Sequence, residues 1–403
     1  MRKTFWILVA DVAILALTGL LVLFSASGAN GVRLHGDPIY FLKRQLVYFA
    51  VGVAVAFFVA KFDYHQWRKI PFLTIAFYIG VVLLLGWVLT CDPINGSRRW
   101  INMKLFRLQP SELAKISTVI AIGVWIDRTG WKVETLVKGM LIPLGLLALP
   151  AGLTVIEPDF GAALVMGITV MLLLFVAGVN FVYWIAALIL GGAAFLLNVA
   201  MNANRMARFA ATSPLFYTIM HPISEFMMGL FNVAASSPAA AEAAAKRASY
   251  QTAMSIVAIQ RGGIFGVGMN QSMQKHAYLP ESHTDFIFAV GAEEWGLQFS
   301  IFIILLFVIF WATSLYIGMK SEDRLGRFFA ISLSFIIFFQ AMFNLGVVCE
   351  ALPTKGVALP FFSYGGTNMI SAFFIVGTIL SVALHSGNNR GKNAFSKGLR
   401  QEG

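Results

Sequence analysis

Charge is scarce in this chain. Only 12% of its 403 residues are Asp, Glu, Lys or Arg, whereas 58% are hydrophobic, a balance that excludes a soluble globule of this length. Acid is scarcer than base: 19 Asp and Glu stand against 30 Lys and Arg, for a formal net charge of +11. That excess suits anionic lipid or phosphate, and nothing in its pattern points to nucleic acid. Cysteine is nearly absent. Cys91 and Cys349 alone exclude a disulfide framework and lack metal-ligand spacing; both fall at span ends on one side, so one disulfide or two free thiols stay open. No stretch is polar enough to form a separate soluble domain, and 1–403 reads as one integral membrane domain.

Long apolar runs are what the chain has instead. Crossing about 30 Å of hydrocarbon takes about 20 apolar residues, and the pattern predicts an all-α polytopic membrane protein with ten transmembrane helices, at about 5–26, 41–60, 71–90, 111–126, 137–156, 160–178, 180–200, 286–318, 324–349 and 360–385. The first run is too long for a signal peptide and is expected to stay as a span. Ten spans put both termini on one side. With the N-terminus inside, the inner segments hold Arg2, Lys3, Lys61, Arg68, Lys69, Arg128, Lys132, Lys138, Lys320, Arg324, Arg327 and four basic residues of the tail. That is half of the basic residues, so counting alone is neutral; yet every longer inner loop is basic, whereas the outer excess sits in two places, Arg98 to Lys115 and the long loop 201–285. Long loops cross regardless of charge, so N-in and C-in is expected, and the outer cations ask for a partner.

The long loop is heterogeneous. Arg205-Met-Ala-Arg208 is basic, Pro214–Phe231 is rich in Met and Phe and is expected on the membrane surface, and Ala234–Ala248 is a helix former or a flexible spacer. The glycines from Gly262 to Gly268 allow either a phosphate cradle or, with no strand before them, a tight re-entrant turn.

Several charged residues need a reason. Asp285 stands where a polar run turns into the eighth span, beside His283 and Glu281; it can cap the helix or act as a base. Arg98, Arg99, Lys104 and Arg107 share a short outer loop, as a lipid-headgroup belt or as contacts to an anionic ligand, with Arg107 the stronger contact candidate. Glu112 and Lys115 lie three apart on the fourth span, so they form a salt bridge or line a wet cavity. Asp159 is a turn cap or a cavity carboxylate. Lys355 contacts phosphate or pairs with Glu350, Ser363 lies in a stretch of small residues, and Glu293 and Glu294 serve packing or function equally well.

These residues fall in motifs. Arg98-Arg-Trp-Ile, Gln109-Pro-Ser-Glu-Leu-Ala-Lys115, Glu157-Pro-Asp-Phe-Gly161, Tyr250-Gln251, Gly262-Gly263 with Gly266-Val-Gly268, Leu279-Pro-Glu-Ser-His-Thr-Asp-Phe-Ile-Phe288, Leu352-Pro-Thr-Lys-Gly356 and Leu359-Pro-Phe-Phe-Ser-Tyr-Gly-Gly366 occur in this order. Over nearly the whole chain the sequence resembles the SEDS family (shape, elongation, division and sporulation), and Leu-Pro-Thr-Lys-Gly and Leu-Pro-Glu-Ser-His-Thr-Asp are most like its cell-division branch. Departures are a probable-insertion segment at 210–249, Cys349-Glu350-Ala351 in place of an apolar triplet, and Gly291-Ala292; none touches Asp285.

The resemblance implies a ten-span protein of the bacterial cytoplasmic (inner) membrane that polymerises lipid II at the outer face. Its partners would be lipid II, undecaprenyl-linked glycan, a class B penicillin-binding transpeptidase and other division proteins. It implies Asp285 as the catalytic base of an inverting displacement, with Arg107, Gln109, Glu112, Lys115, Asp159, His283, Lys355 and Ser363 as substrate-binding residues. A divalent cation, Mg²⁺ or Mn²⁺, suits a pyrophosphate leaving group, though no ligand set is readable; no organic cofactor is expected. A lipid II flippase and a transpeptidase scaffold are the alternative functions. The 210–249 segment is expected to serve regulation or partner contact.

Overall fold

The computed structural model describes residues 2–93, 97–103, 107–202, 205, 206, 208, 214–230, 238–275, 279, 282–354 and 356–386. Among these, nine helical segments are long and apolar enough to cross a membrane: α1 (Arg2–His35), α2 (Tyr40–Lys61), α4 (Pro71–Val88), the segment Leu136–Ile156, α7 (Phe160–Ala177), α8 (Phe181–Ala200), α11 (Ile287–Lys320), α12 (Arg324–Val348) and α13 (Gly366–His385). Leu136–Ile156 enters through a π-helical turn before α6 (Ile142–Ile156), and α3 (Gln66–Lys69) is a single turn.

The remaining expected span, the fourth, is α5 (Pro110–Thr129), which carries Glu112, Lys115, Asp127 and Arg128 and for that reason fails as an apolar segment. Its surroundings explain its polarity. Fifteen of its twenty residues are buried, packed against α4, α6, α7, α12 and α13, so Glu112 and Lys115 meet protein instead of lipid tails. At the other extreme α8 buries only Val199 and Ala200. The last span starts at Gly366, six residues later than expected, because Phe361 takes φ +67° and the Ser363 hydroxyl binds the Leu359 N–H.

The loop after α8 is largely helical where it is described. A helix α9 (Pro214–Leu230) packs Met220 and Ser224 onto the end of α8, the Ser224 hydroxyl donating to the Ala200 carbonyl at 2.5 Å. The Ala-rich stretch belongs to α10 (Pro238–Gly262), which settles it as helix from residue 238 onward. Residues 231–237 lie outside the described residues. Cys91 and Cys349 are both free thiols.

The glycines after α10 have a packing role. α11 breaks at Gly296 (φ 73°, ψ −163°), and a break inside a span leaves backbone groups that hydrocarbon cannot satisfy. Here Val267 and Gly268 donate their N–H groups to the Glu293 and Glu294 carbonyls, and Leu297 donates to the Gly263 carbonyl. Such contact requires backbone against backbone: a Cβ on Gly262 would lie 2.1 Å from the Ala292 oxygen. The glycines therefore seal a kinked helix, a role closer to the expected tight turn than to a phosphate cradle.

Beside the kink, Glu293 and Glu294 are fully buried. Glu293 accepts from Arg261 of α10 at 3.0 Å, from the Ser272 hydroxyl and from the Met273 N–H. Glu294 meets Lys275, itself 2% exposed, at 3.0 Å, and Ser25 of α1 at 2.6 Å. Removing one member of such a pair strands a buried charge, at a cost of about 3–5 kcal/mol, whereas removing both is far milder. Lys275→Met is expected to lower the melting temperature sharply in detergent, and adding Glu294→Met is expected to restore most of the loss.

Candidate functional site

A cavity of about 370 Å³ opens at one end of the bundle, where the α6–α7 turn, the chain beyond α8, the middle of α10, the start of α11 and the segment before α13 converge. Four arginines line it, Arg99, Arg205, Arg208 and Arg247, together with Asp159 and Asp285. Thr354 and Gln251 add neutral polar groups. Four cations against two carboxylates leave two excess positive charges, a setting for a polyanion.

Each charge is placed by the backbone near it. Arg99 donates to the carbonyls of Glu157 and Pro158 in the α6–α7 turn. Arg205 donates to the Asn198 carbonyl at 3.2 Å and lies over the Phe160 ring at 4.9 Å. Burial, then the neighbouring Arg208 and Arg99, hold the Arg205 guanidinium below the ordinary arginine pKa; burial and Arg99 do the same to Arg208. The arginines thus repel one another across a space that a phosphate-bearing ligand would neutralise.

Asp159 caps α7, accepting from the Ala162 N–H at 3.4 Å. Its other oxygen takes the Ser111 hydroxyl at 2.7 Å and the Gln109 amide at 2.9 Å. It is therefore both the turn cap and a cavity carboxylate. The half-buried Asp285 precedes Phe286, which occupies the N-cap position of α11 and has no capping side chain. The Asp285 carbonyl accepts from Asn344 at 2.7 Å, and Asn344 also holds the Val357 carbonyl at 2.8 Å. Gly356 faces the carboxylate so closely that a Cβ there would lie 2.9 Å from Oδ2.

The remaining expected residues divide. Gln109 supports Asp159 from behind. Ser363 donates to the Thr284 carbonyl at 2.7 Å and so fixes the backbone leading into Asp285. His283 packs away from the cavity, its ring 4.7 Å from Phe41 and its Nδ1 3.4 Å from the Asn30 amide. Glu112 and Lys115 bind each other at 2.8 Å, buried; they are not among the residues lining the cavity, because Ser111 and Gln109 hold the face of α5 turned toward Asp159. Arg107 is exposed on a two-stranded hairpin, β1 (Ile101–Asn102) with β2 (Arg107–Leu108), and does not line the cavity either. Arg98 is also exposed and donates to the Leu89 carbonyl, so of the two neighbouring arginines it is Arg99 that reaches the site. Lys355, Glu281 and Lys104 lie outside the described residues. Arg205, Arg208 and Arg247 went unassigned from sequence; the orientation-defying positive charge of the long loop was the signal for them. Arg247 also puts part of the 210–249 segment in the cavity wall.

Fold and site together define a polytopic membrane protein with a cationic, carboxylate-bearing cavity at one end of its helix bundle. The family model described as Cell cycle protein, which groups FtsW, RodA and SpoVE, matches residues 5–388. The probable peptidoglycan glycosyltransferase FtsW of Coxiella burnetii is 33% identical over 388 residues, covering 95% of this chain and 96% of that protein. Among solved structures, Thermus thermophilus rod shape determining protein RodA is similar at TM-score 0.65 and 25% identity, covering 94% of this chain and 96% of its own. A chain from a peptidoglycan synthase complex that coordinates polymerization and crosslinking is similar at TM-score 0.68 and 24% identity, covering 94% and 98%. The chain belongs to the FtsW–RodA–SpoVE family.

One further carboxylate borders the site. Glu157 is fully buried, and burial, followed by the charge of Asp159 and opposed by Arg99, pushes its pKa from 4.5 up to about 8. Between those values the folded chain keeps a proton that the unfolded chain releases, so stability falls as pH rises through this window and the loss is complete above about 8. Glu157→Gln removes the charge cost. Thermal melts should show it raising the melting temperature more at pH 9 than at pH 6; an equal shift at both would contradict the raised pKa.

Proposed function

We propose that this chain is a peptidoglycan glycosyltransferase that polymerises lipid II at the outer face of the bacterial cytoplasmic membrane during cell division, with both termini cytoplasmic. The observation that carries the reading is Asp285 sharing one cavity with Arg99, Arg205, Arg208 and Arg247. Forming a glycosidic bond from a diphosphate-linked sugar needs two things: removal of the acceptor hydroxyl proton and stabilisation of the departing diphosphate.

Asp285 serves the first need. As the acceptor oxygen bonds to the anomeric carbon, its proton passes to the Asp285 carboxylate; the bond to the diphosphate breaks on the opposite face, and the linkage is inverted in one step. The arginines serve the second, holding the diphosphate and then its added negative charge as it leaves. Asp159, tied by Gln109 and Ser111, keeps this cationic set in balance. Among the described residues no three His, Cys, Asp or Glu side chains form a metal-binding group, but Mg²⁺ and Mn²⁺ commonly use one or two carboxylates completed by substrate oxygens. Asp159 and Asp285 are the side chains that would hold such an ion, which would add positive charge at the diphosphate.

The likeness to a chain of a peptidoglycan synthase complex supports partnership with a class B penicillin-binding transpeptidase and, through it, with other division proteins. The 210–249 segment combines a cavity arginine, Arg247, with outward-facing helix, and we assign it to substrate control as well as to partner contact.

The test is polymerisation of lipid II by purified protein in liposomes. Asp285→Asn should reduce polymer by about 10²–10⁴-fold while the melting temperature holds. Arg99→Ala and Arg208→Ala should lower kcat/KM about tenfold or more each, as loss of charge-assisted bonds worth over 1.4 kcal/mol. Polymer undiminished in Asp285→Asn would end the catalytic assignment, and lipid II transport without polymer would favour a flippase.

A further inference from the structure

One arginine stands on the lipid-facing side of a span. Arg44 is exposed, one turn into α2, on a stripe with the exposed Val47 and Val51. The packed face of the same helix is Phe41, Gln45, Tyr48 and Gly52. A cation on the outside of a span is costly in hydrocarbon and is tolerated where it reaches the headgroups.

Cations are in excess around it. Asp37 is the one acid between Asn30 and Gln45, and it accepts from Lys43 at 2.8 Å and from the Ile39 N–H at 3.0 Å. Arg33 donates to the Asn30 side-chain oxygen at 3.2 Å. Arg44 lies over the Tyr40 ring at 5.0 Å and faces the Tyr364 hydroxyl, while Tyr40 stacks on His35 at the end of α1. Among the described residues neither arginine forms an ion pair with a carboxylate. Two positive charges at the α1–α2 turn therefore have only neutral partners.

Tyr364 links this surface to Asp285. Gln45, the residue after Arg44, donates to the Ser363 carbonyl and accepts from the Gly365 N–H, both at 3.2 Å, so the backbone on each side of Tyr364 is tied to α2. The Tyr364 N–H donates to the His283 carbonyl at 3.0 Å, two residues before Asp285, and its ring lies 5.0 Å from Phe41.

We propose that an anionic glycerophospholipid binds through its phosphate at Arg44, and that this contact steadies Tyr364 and with it the backbone leading to Asp285. A guanidinium offers the phosphate two parallel hydrogen bonds. Net charge sets the preference among lipids: phosphatidylcholine carries its own cation, whereas phosphatidylglycerol answers the unpaired charges of Arg33 and Arg44. The binding site stands on this geometry alone; an effect on polymerisation rests on the function proposed above.

Two readouts on the full chain test it. Native mass spectrometry from equal mixtures of phosphatidylglycerol and phosphatidylcholine should show the wild type retaining phosphatidylglycerol preferentially, and Arg44→Gln retaining it about fivefold less. Hydrogen exchange in vesicles should show phosphatidylglycerol slowing the amides of 363–366 in the wild type and in Arg44→Lys, but not in Arg44→Gln. Lys61→Gln, which removes the same charge from the other end of α2, should keep the protection. Equal retention by Arg44→Gln, or protection lost equally in Lys61→Gln, would show a general surface-charge effect and overturn the proposal. So would the same protection from inorganic phosphate added to phosphatidylcholine vesicles, which would mark a free-phosphate site. If Arg44→Gln fails to fold, exchange in the wild type with each lipid and with phosphate still decides. Polymer yield should rise with phosphatidylglycerol in the wild type and stay flat in Arg44→Gln. Should the wild type polymerise in neither lipid, the polymerase reading fails, and retention and exchange decide the lipid site.

Discussion

A carboxylate kept ionised inside a helix bundle must be paired, and here the pairing of Glu293 and Glu294 determines where the loop before α11 can sit. Glu293 gathers Arg261, Ser272 and Met273, and Glu294 gathers Lys275 and Ser25. α10, the 270–275 stretch and α1 are thereby fastened to the first turns of α11, the helix whose start carries Asp285. The Gly296 break is part of the same joint, since the backbone groups it frees are taken by Gly263, Val267 and Gly268. Charges that are costly to bury fix register through the partners they gather, and here they join three segments to one helix.

The sequence and the structure agree best where one physical rule acts alone. Apolar length locates the spans, because only helices satisfy their own backbone in hydrocarbon. The rule weakens at α5, where Glu112 and Lys115 pair with each other and Asp127 pairs with Arg68, on a helix buried by neighbours far away in sequence. Asp285 was visible as a carboxylate at a boundary, but the sequence did not show that Phe286 would take the N-cap position. Periodicity also put Glu112 and Lys115 on one face correctly while saying nothing of what that face meets. The arginines were hardest to read: Arg99, Arg205, Arg208 and Arg247 come from three separate stretches, and only the three-dimensional fold brings them together. Their trace in the sequence was an unexplained charge excess in two outer segments.

Electrostatics makes that cluster more than an accumulation of cations. Burial and repulsion from neighbouring arginines lower the pKa of Arg205 and Arg208, and local anchors hold the cluster in place: Asn198 and Phe160 for Arg205, the α6–α7 turn carbonyls for Arg99. Arg99 is bound there by backbone carbonyls while the neighbouring Glu157 side chain stays protonated up to about pH 8. A neutral Glu157 leaves the Arg99 charge unspent for a ligand, whereas an ionised one would compete for it.

The base is confined just as tightly. Asn344 holds the Asp285 carbonyl with one amide group and the Val357 carbonyl with the same nitrogen, which ties the segment after Gly356 to the segment before α11. Ser363 holds the Thr284 carbonyl one residue earlier, and a Cβ at position 356 would crowd the carboxylate at 2.9 Å. Neither Asn344 nor Ser363 needs to touch a substrate to matter. They fix the backbone on both sides of a single carboxylate, and because catalysis by a base depends on the angle and distance of its approach, confinement of the backbone converts an acidic residue at a helix start into a directed one.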